Sequence, residues 1–543
     1  MLLREEYFTR AIDDIIEHGG NDTLPFDVDS RFLAGSKEEL VKIAFNFAKQ
    51  LEENGHEFSL ATLEAISFFS ERLLTPAGPT GFRVTTKIHT FWNFYFNALG
   101  IAIAERLESK RSDRAHSYRY TKTGPGIFDT RWTWREFKKK TLEDCASAPA
   151  SAIVIQTDIS SFYEHVYHHR VENFIDELFP ESKTISLQVD RMLNSFASGR
   201  SFGLPVGGQC SRILAELIMS KIDKRLTEED VCWRRYVDDF VLIANDQNSA
   251  YKVLSTLSHA LADYGLSLSK TKTSLLKVKH YHDYIVAQLG ENETDPQANT
   301  LREIDLRFDP YSDTADEDYE QLKSAVRQLD IMRLIGGELG KTQPDGFIVT
   351  QISRTLKLLP PQTTEEVCRS LLESTNLHAF RASFSKIMRG IASVLEDESY
   401  APIHSAIEVL LDNIPSHSAH LLSVDTNCLH YLRAIRSTSS VKRARFVSST
   451  HAHSQVETIR RACVECWRSW KDRDRFIALR QKWTSLSAEE QRMLWLSASE
   501  FGDDGKFFRK QVRAQALASW TLGFEKGKST FSSAYIKWCE NEK

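Results

Sequence analysis

Apolar positions over the first 80 residues recur at helical spacing, interrupted by a loop signal in "HGGNDTLPFDVD". The stretch "TKIHTFWNFYFNALGIAIAERLE" predicts one long amphipathic helix rich in aromatics, followed by a basic segment with a turn at Gly124, Pro125 and Gly126. "SAIVIQTDI" reads as a short buried strand, "HRVENFIDELF" as a helix and "FVLIA" as a second strand. "SAYKVLSTLSHALADYGLSLS" is then a helix leading into a third strand. This alternation predicts an α/β sheet with carboxylates at its strand ends. Near residue 300 the pattern changes. The acidic "LRFDPYSDTADEDYEQ" reads as a solvated linker, and beyond it helical segments follow one another, separated by "LPP", "ESTN", "EDES" and "GDDGK". Helix pairs at roughly forty-residue spacing suit an α-solenoid, although no clean repeat is visible. The expected division is 1–145, 146–300 and an all-α 301–543.

A chain of 543 residues, 41% hydrophobic and 26% charged, fits a globular protein of two or three domains. The start "MLLREEYFTR" lacks the apolar core of a signal peptide, and no apolar run reaches membrane-span length. Eight scattered cysteines read as free thiols in a reducing cytoplasm. Net charge is −5, but it is patchy. Eleven Lys/Arg stand against four Asp/Glu over 106–140, thirteen against four over 433–482, and four against twelve over 291–330. Basic patches with interleaved aromatics ("SYRY", "RWTWREFKKK", "ECWRSWKDRDR") suit phosphate contact with base stacking, and equally suit solvated helix faces.

The chemistry gathers in three aspartates. Asp158 ends the first strand, and Asp238 and Asp239 sit at what reads as a hairpin tip in "CWRRYVDDFVLIA". Carboxylates brought together from adjacent strand ends repel unless hard divalent cations hold them. Such a site activates a hydroxyl and stabilises a displaced phosphate's leaving oxygens. An isolated YxDD, by contrast, is commonly an exposed turn.

The order of "TDISSFY", "GLPVGGQCSRILAEL", "YVDD" and "GLSLSKTKTSLL" resembles the motif order of reverse transcriptases, over about 120 residues. The resemblance implies an α/β right-hand polymerase, fingers and palm, ahead of the helical half. It implies two Mg²⁺ ions, with Mn²⁺ as an alternative, held by Asp158, Ile159, Asp238 and Asp239, Asp239 being the more peripheral. It makes Lys272 the proton donor to pyrophosphate and Tyr163 a ring excluding the ribose 2′-hydroxyl, so that dNTPs are preferred; core packing beside Phe162 is the other reading of Tyr163. A substrate-binding set of Phe162, Tyr163, Gly203, Pro205, Gly207, Gly208, Gln209 and Tyr236 follows, with Arg119 and Lys87 as loosely placed triphosphate contacts.

The chain departs from several branches. Val206 stands where many relatives have Gln, and neither the "NAxxH" and "VTG" elements of retrons nor a maturase, endonuclease or RNase H pattern is found. "HGGNDTLPF", "SYR", "PVGG" with "SRILAE", and the helical half resemble the abortive-infection and defence-associated ("unknown group") bacterial reverse transcriptases. That resemblance implies antiphage defence, a HEAT-like repeat domain, homo-oligomers and template-independent, protein-primed DNA synthesis. Tyr7, in a charged context, is the candidate primer, and Trp467 and Trp470 are candidate channel residues. Two other classes stay open: a templated polymerase copying a dedicated noncoding RNA, and a non-catalytic nucleic-acid scaffold. "CVEC" (Cys463, Cys466) with His451 and His453 reads as helix-core cysteines rather than a zinc site, and "YHHR" as polar packing at a helix start.

Overall fold

The computed structural model describes residues 2–124, 126–289, 296–304, 315–525, 527 and 529–542. Helices α1 (Glu5–His18), α2 (Val28–Glu53) and α3 (Gly55–Ala65) precede a hairpin of β1 (Ser70–Ala77) and β2 (Gly81–Ile88). Next come α4 (Thr90–Leu107), α5 (Trp134–Ala146), β3 (Ile153–Thr157), α6 (Phe162–His165), α7 (His168–Leu178), α8 (Thr184–Phe196) and α9 (Gln209–Glu228). β4 (Cys232–Tyr236), β5 (Asp239–Ala244), α10 (Gln247–Ala262), β6 (Ser274–Lys277) and α11 (Val278–Leu289) complete this part. Expected strands and helices therefore recur at β3, α7, β5, α10 and β6.

The main sheet has the order β4-β5-β3-β6, and every pairing is antiparallel. β3 reads as a continuous apolar run because helices cover both faces. Val154, Val241 and Ile243 join Phe137 of α5 and Tyr281 and Ile285 of α11 in one cluster, while Ile155, Phe240 and Leu242 face the main core with Leu214 of α9 and Leu257 of α10.

Two expectations change. Residues 86–108 are not one amphipathic helix, since the first four end β2 or precede α4. α4 itself is buried on all sides, with Arg106 and Glu105 as its only two residues outside the core. A helix apolar all round belongs inside the protein. It crosses α9 so closely that a Cβ on Gly100 would lie 3.0 Å from Cys210. The acidic linker stretch lies outside the described residues over 306–314, as does Pro125 of the expected turn.

From Ile331–Leu339 to Phe531–Asn541 the described regular structure is helical. This half is bound tightly to the first. The Glu71 carboxylate of β1 accepts the backbone N–H groups of Glu457 and Thr458 at 2.6 and 2.9 Å, capping helix Glu457–Ser469. Asp425 accepts the N–H of Leu74 at 2.7 Å. Phe32 of α2 is ringed by Phe531, Tyr535 and Trp538 at 5.0–5.5 Å. Arg461, buried, bridges Asp29 of α2 (2.6 Å) and Glu489 (3.0 Å).

Truncating one member of a buried ion cluster leaves the others unpaired, at a cost of about 3–5 kcal/mol. Arg461→Met should therefore lower the urea midpoint markedly, whereas Arg473→Met, on an exposed pair with Asp504, should leave it close to the wild-type value.

Candidate active site

β3 and β5 pair in a register that sets Thr157 against Phe240, so one step further Asp158 faces Asp239. β4 and β5 are joined by only Val237 and Asp238, and Val237 has φ +58°. Two-residue turns usually reserve such a position for glycine, and a β-branched residue is strained there. Contacts from two directions hold it. The Val237 N–H donates to Ser117 Oγ (2.9 Å), and the Arg235 guanidinium donates to the Val237 carbonyl (3.1 Å). Arg235, fully buried, also forms bidentate pairs with Glu216 (2.7 and 3.0 Å) and Asp223 (2.7 Å twice). Those acids lie seven residues apart on one face of α9. Arg111 completes the cluster on Glu216 at 2.6 Å, giving two cations for two anions. Burial pushes the Glu216 carboxyl up, but Arg111 and Arg235 overcome it and hold it below its ordinary range. None of these supporting roles is visible in the local sequence.

The segment after α10 supplies Lys272. Ser269 N–H donates to the Asp158 carbonyl (2.7 Å), Ile159 bridges Leu268, and the hydroxyls of Thr157 and Thr273 meet at 2.7 Å. With its loop thus pinned, Lys272 pairs with Asp158 Oδ2, and this contact raises the lysine's proton affinity. Burial, followed by the charges of Asp158 and Asp239, pushes Asp238 up to about 7. Burial and Asp158 also raise Asp239. On the far side of Asp239 lies Lys138 of α5, buried against the rings of Trp134 and Phe137 and pushed down to about 8 by desolvation. It belongs to the flagged "KKK", but only the fold distinguishes it from its neighbours. Among the described residues no three ligating side chains close on a single point: Asp158 is drawn to Lys272 while Asp238 and Asp239 carry the repulsion.

Tyr163 is half-buried, edge-on to the buried Phe162 at 5.5 Å, and within electrostatic reach of Asp238, Tyr118 and Arg212. Its carbonyl accepts the Leu204 N–H at 2.8 Å, and buried His168 of the "YHHR" stretch meets the Gly203 carbonyl at 2.8 Å. Pro205 is buried and Tyr236 is half-buried beside Phe137. Gln209 is occupied, donating to Asp14 (3.1 Å) and accepting from Arg212 (2.8 Å). The two glycines differ. Gly207 has φ +111°, and a Cβ there would lie 2.3 Å from the Asn21 amide; Gly208 has open space around it. Asn21 is a further residue the sequence did not single out. Its amide donates to Thr85, Thr86 and Val206, while Asp22 N–H donates to the Gly207 carbonyl at 3.2 Å.

Several residues expected at the site are engaged elsewhere in the fold, and one expected channel residue is buried. Arg119 is bound to Glu108 and to the Ser112 and Ala115 carbonyls, with Trp132 under its guanidinium, so it braces its own loop. Lys87 is buried beside Asp27 (3.5 Å) at the junction with the helical half. Tyr7 is buried rather than exposed, its hydroxyl on Glu105. Trp467 is core, packed on His451 at 4.9 Å, and Trp470 is half-buried. Cys463 and Cys466 are buried in one helix, the latter's thiol on the Leu432 carbonyl, while His451 meets Glu490.

Residues 85–295 match the family model described as "Reverse transcriptase (RNA-dependent DNA polymerase)". Telomerase reverse transcriptase of Mus musculus is 26% identical over 150 residues, 25% of this chain and 12% of that protein. The chain thus spans about an eighth of that relative's length. Among solved structures, Candida albicans telomerase in complex with a TWJ fragment of telomeric RNA is 12% identical at TM-score 0.32, covering 63% of this chain and 65% of that one. Apo telomerase of Candida tropicalis is 13% identical at TM-score 0.32, covering 68% and 70%. The family match identifies a reverse transcriptase-like polymerase domain of fingers and palm, and the described regular structure after it is all helical.

Gly207→Ala should lower thermal stability by breaking the Asn21 clamp, whereas Gly208→Ala should leave the melting temperature within a degree or two of wild type. For Asp238 the folded protein binds the extra proton between its unfolded pKa and about 7, so stability is lost as pH rises through that window. In chelator-containing buffer Asp238→Asn should raise the unfolding free energy by about 2–4 kcal/mol at pH 8 and leave it unchanged near pH 4.

Proposed function

We propose that this chain is a DNA nucleotidyltransferase that extends a strand from dNTPs, and the observation that carries the reading is the gathering of Asp158, Asp238, Asp239 and Lys272 at one end of the sheet. The donor set fits hard divalent cations: its ligands are carboxylate oxygens, and the repulsion that adds to burial in raising Asp238 and Asp239 is what a cation would relieve. Asp158 and Asp238, with the Ile159 carbonyl, would hold Mg²⁺ or Mn²⁺, and Asp239 would support from the rim. When bound, the metal pair lowers the barrier for hydroxyl attack and for departure of pyrophosphate. Lys272 keeps a proton at Nζ beside Asp158 and delivers it to the pyrophosphate leaving oxygen. Tyr163 limits the space beside the sugar, selecting deoxyribose, and Gly208 leaves backbone open to the substrate.

The biological setting we infer is bacterial antiphage defence by abortive infection, with homo-oligomers and a HEAT-like arrangement of the helical half. Its support is the resemblance in "HGGNDTLPF", "SYR" and "SRILAE", together with the helix-only region after the palm. In this reading synthesis is template-independent and primed by a protein hydroxyl. Burial of Tyr7 moves that role to accessible phenols such as Tyr251, 75% exposed, Tyr284 or Tyr167. A templated reading is favoured by one observation, the match to a relative named as a reverse transcriptase.

Labelled dNTP incorporation by wild type, with Asp238→Ala reduced to background, is the expected outcome; equal behaviour of the two proteins overturns the enzyme reading. Tyr163→Ala should lower dNTP-over-rNTP selectivity by about tenfold or more. Sequencing the product separates the modes: heterogeneous sequence attached to a peptide supports template-free priming, and a single complementary cDNA overturns it.

A further inference from the structure

The loop 21–26 has two sides. On one, Asn21 and Asp22 hold the palm loop through the Val206 and Gly207 carbonyls. On the other, side chains of the helical half converge. Arg389 donates to the Leu24 carbonyl (3.3 Å), His430 meets the Thr23 carbonyl (3.0 Å) and Arg433 donates to the Phe26 carbonyl (3.1 Å). Helices Gly346–Thr355 and Phe384–Leu395 cross in contact, since a Cβ on Gly390 would lie 2.3 Å from the Ser353 carbonyl oxygen. That crossing brings Arg354 beside Lys386 and Arg389, and Arg83 of the β1–β2 hairpin faces the same group.

Arg83, Lys386 and Arg389 form no ion pair among the described residues. Their facing carboxylate, Asp22, is already bound by Arg212 of α9 at 2.6 Å. The buried Nε of Arg389 has no hydrogen-bond partner. Burial, and then the neighbouring arginines, push Lys386 below the ordinary lysine range, with Asp22 alone opposing. Arg389 is pushed down for the same reasons. Like charges gathered at a half-buried junction favour an anion that bridges several of them. The cations run from the exposed hairpin at Arg83 inward to Lys386 and Arg389. Cations spread along the junction suit the successive phosphates of a strand better than one compact anion.

We propose that Arg83, Lys386 and Arg389, with Arg354 at the rim, form a binding track for the phosphodiester backbone of a single nucleic-acid strand, laid between the fingers hairpin and the helical half on the far side of loop 21–26 from the palm glycines. The kind of anion, a strand rather than another polyanion, rests on the polymerase reading.

The test uses the full chain and a fluorescent 20-nucleotide single-stranded DNA, with anisotropy measured from 50 to 300 mM salt. Lys386→Gln with Arg389→Gln should weaken binding about tenfold or more and flatten the log–log salt slope by about 1.4, at about 0.7 per phosphate contact on a single strand. Lys386→Arg with Arg389→Lys should restore much of both. The exposed pair Arg83→Gln and Arg354→Gln repeats the measurement should the inner pair fail to fold, as judged by melting temperature. Wild-type slope and affinity in the folded neutral variants overturn the track, as does a wild type that binds no strand. A variant that raises the KM for dNTP while keeping the salt slope overturns it too, assigning the cluster to the triphosphate. Asp238→Ala separates the two readings. Loss of its incorporation with strand binding kept supports both; wild type and Asp238→Ala that bind through the track yet behave alike in synthesis overturn the polymerase and spare the track.

Discussion

A buried guanidinium fixes the geometry on which the rest of the site depends. Asp238 rides on a two-residue turn whose other member, Val237, holds a backbone conformation normally left to glycine. Nothing in "YVDD" makes that turn stable. Arg235 does so from beneath, binding the Val237 carbonyl while Glu216 and Asp223 neutralise it. Taking such ions out of water costs several kcal/mol each, so a cluster of this kind is poor evidence for stability alone. Its value is positional. Bidentate pairs to two acids one heptad apart on α9 leave the guanidinium a single orientation, and hence the turn a single one.

The same geometry explains how three aspartates coexist. Asp158 sits at the end of a strand buried on both faces, where its carbonyl anchors the loop carrying Lys272. Asp239 lies between that strand and Lys138. Two lysines thus offset part of the repulsion from either side, and the remainder falls on Asp238, the carboxylate most strongly displaced from its ordinary range. The charge imbalance of the site is thereby concentrated on one carboxylate.

How much of this was legible in the sequence follows from distance along the chain. β3, α7 and α10 were readable because their apolar periodicity is local, and the aspartates because four motifs stand in order within about 120 residues. The β1–β2 hairpin was missed: its alternation is weak, with one face covered by the distant helical half. α4 reads as amphipathic in sequence, yet its Asn93 amide donates to the Gly20 carbonyl and its Asn97 amide oxygen accepts the Cys210 N–H, inside the core. For Tyr7 a charged neighbourhood in sequence suggests exposure, whereas its partner Glu105, 98 residues away, arrives only on folding. Asp27 likewise reaches Lys87 from 60 residues away.

The loop 21–26 joins these threads. Read as a simple break between α1 and α2, it is instead where three parts of the chain meet: the palm loop through Asn21 and Asp22, the fingers hairpin through Thr85 and Thr86, and the helical half through the carbonyls of Thr23, Leu24 and Phe26. Its backbone groups are spent on partners from both halves, so the loop cannot shift without breaking hydrogen bonds on each side. The helical half is therefore not an appendage tethered by a linker. It is coupled to Gly207, and so to the substrate side of the palm, through a connection less than ten residues long.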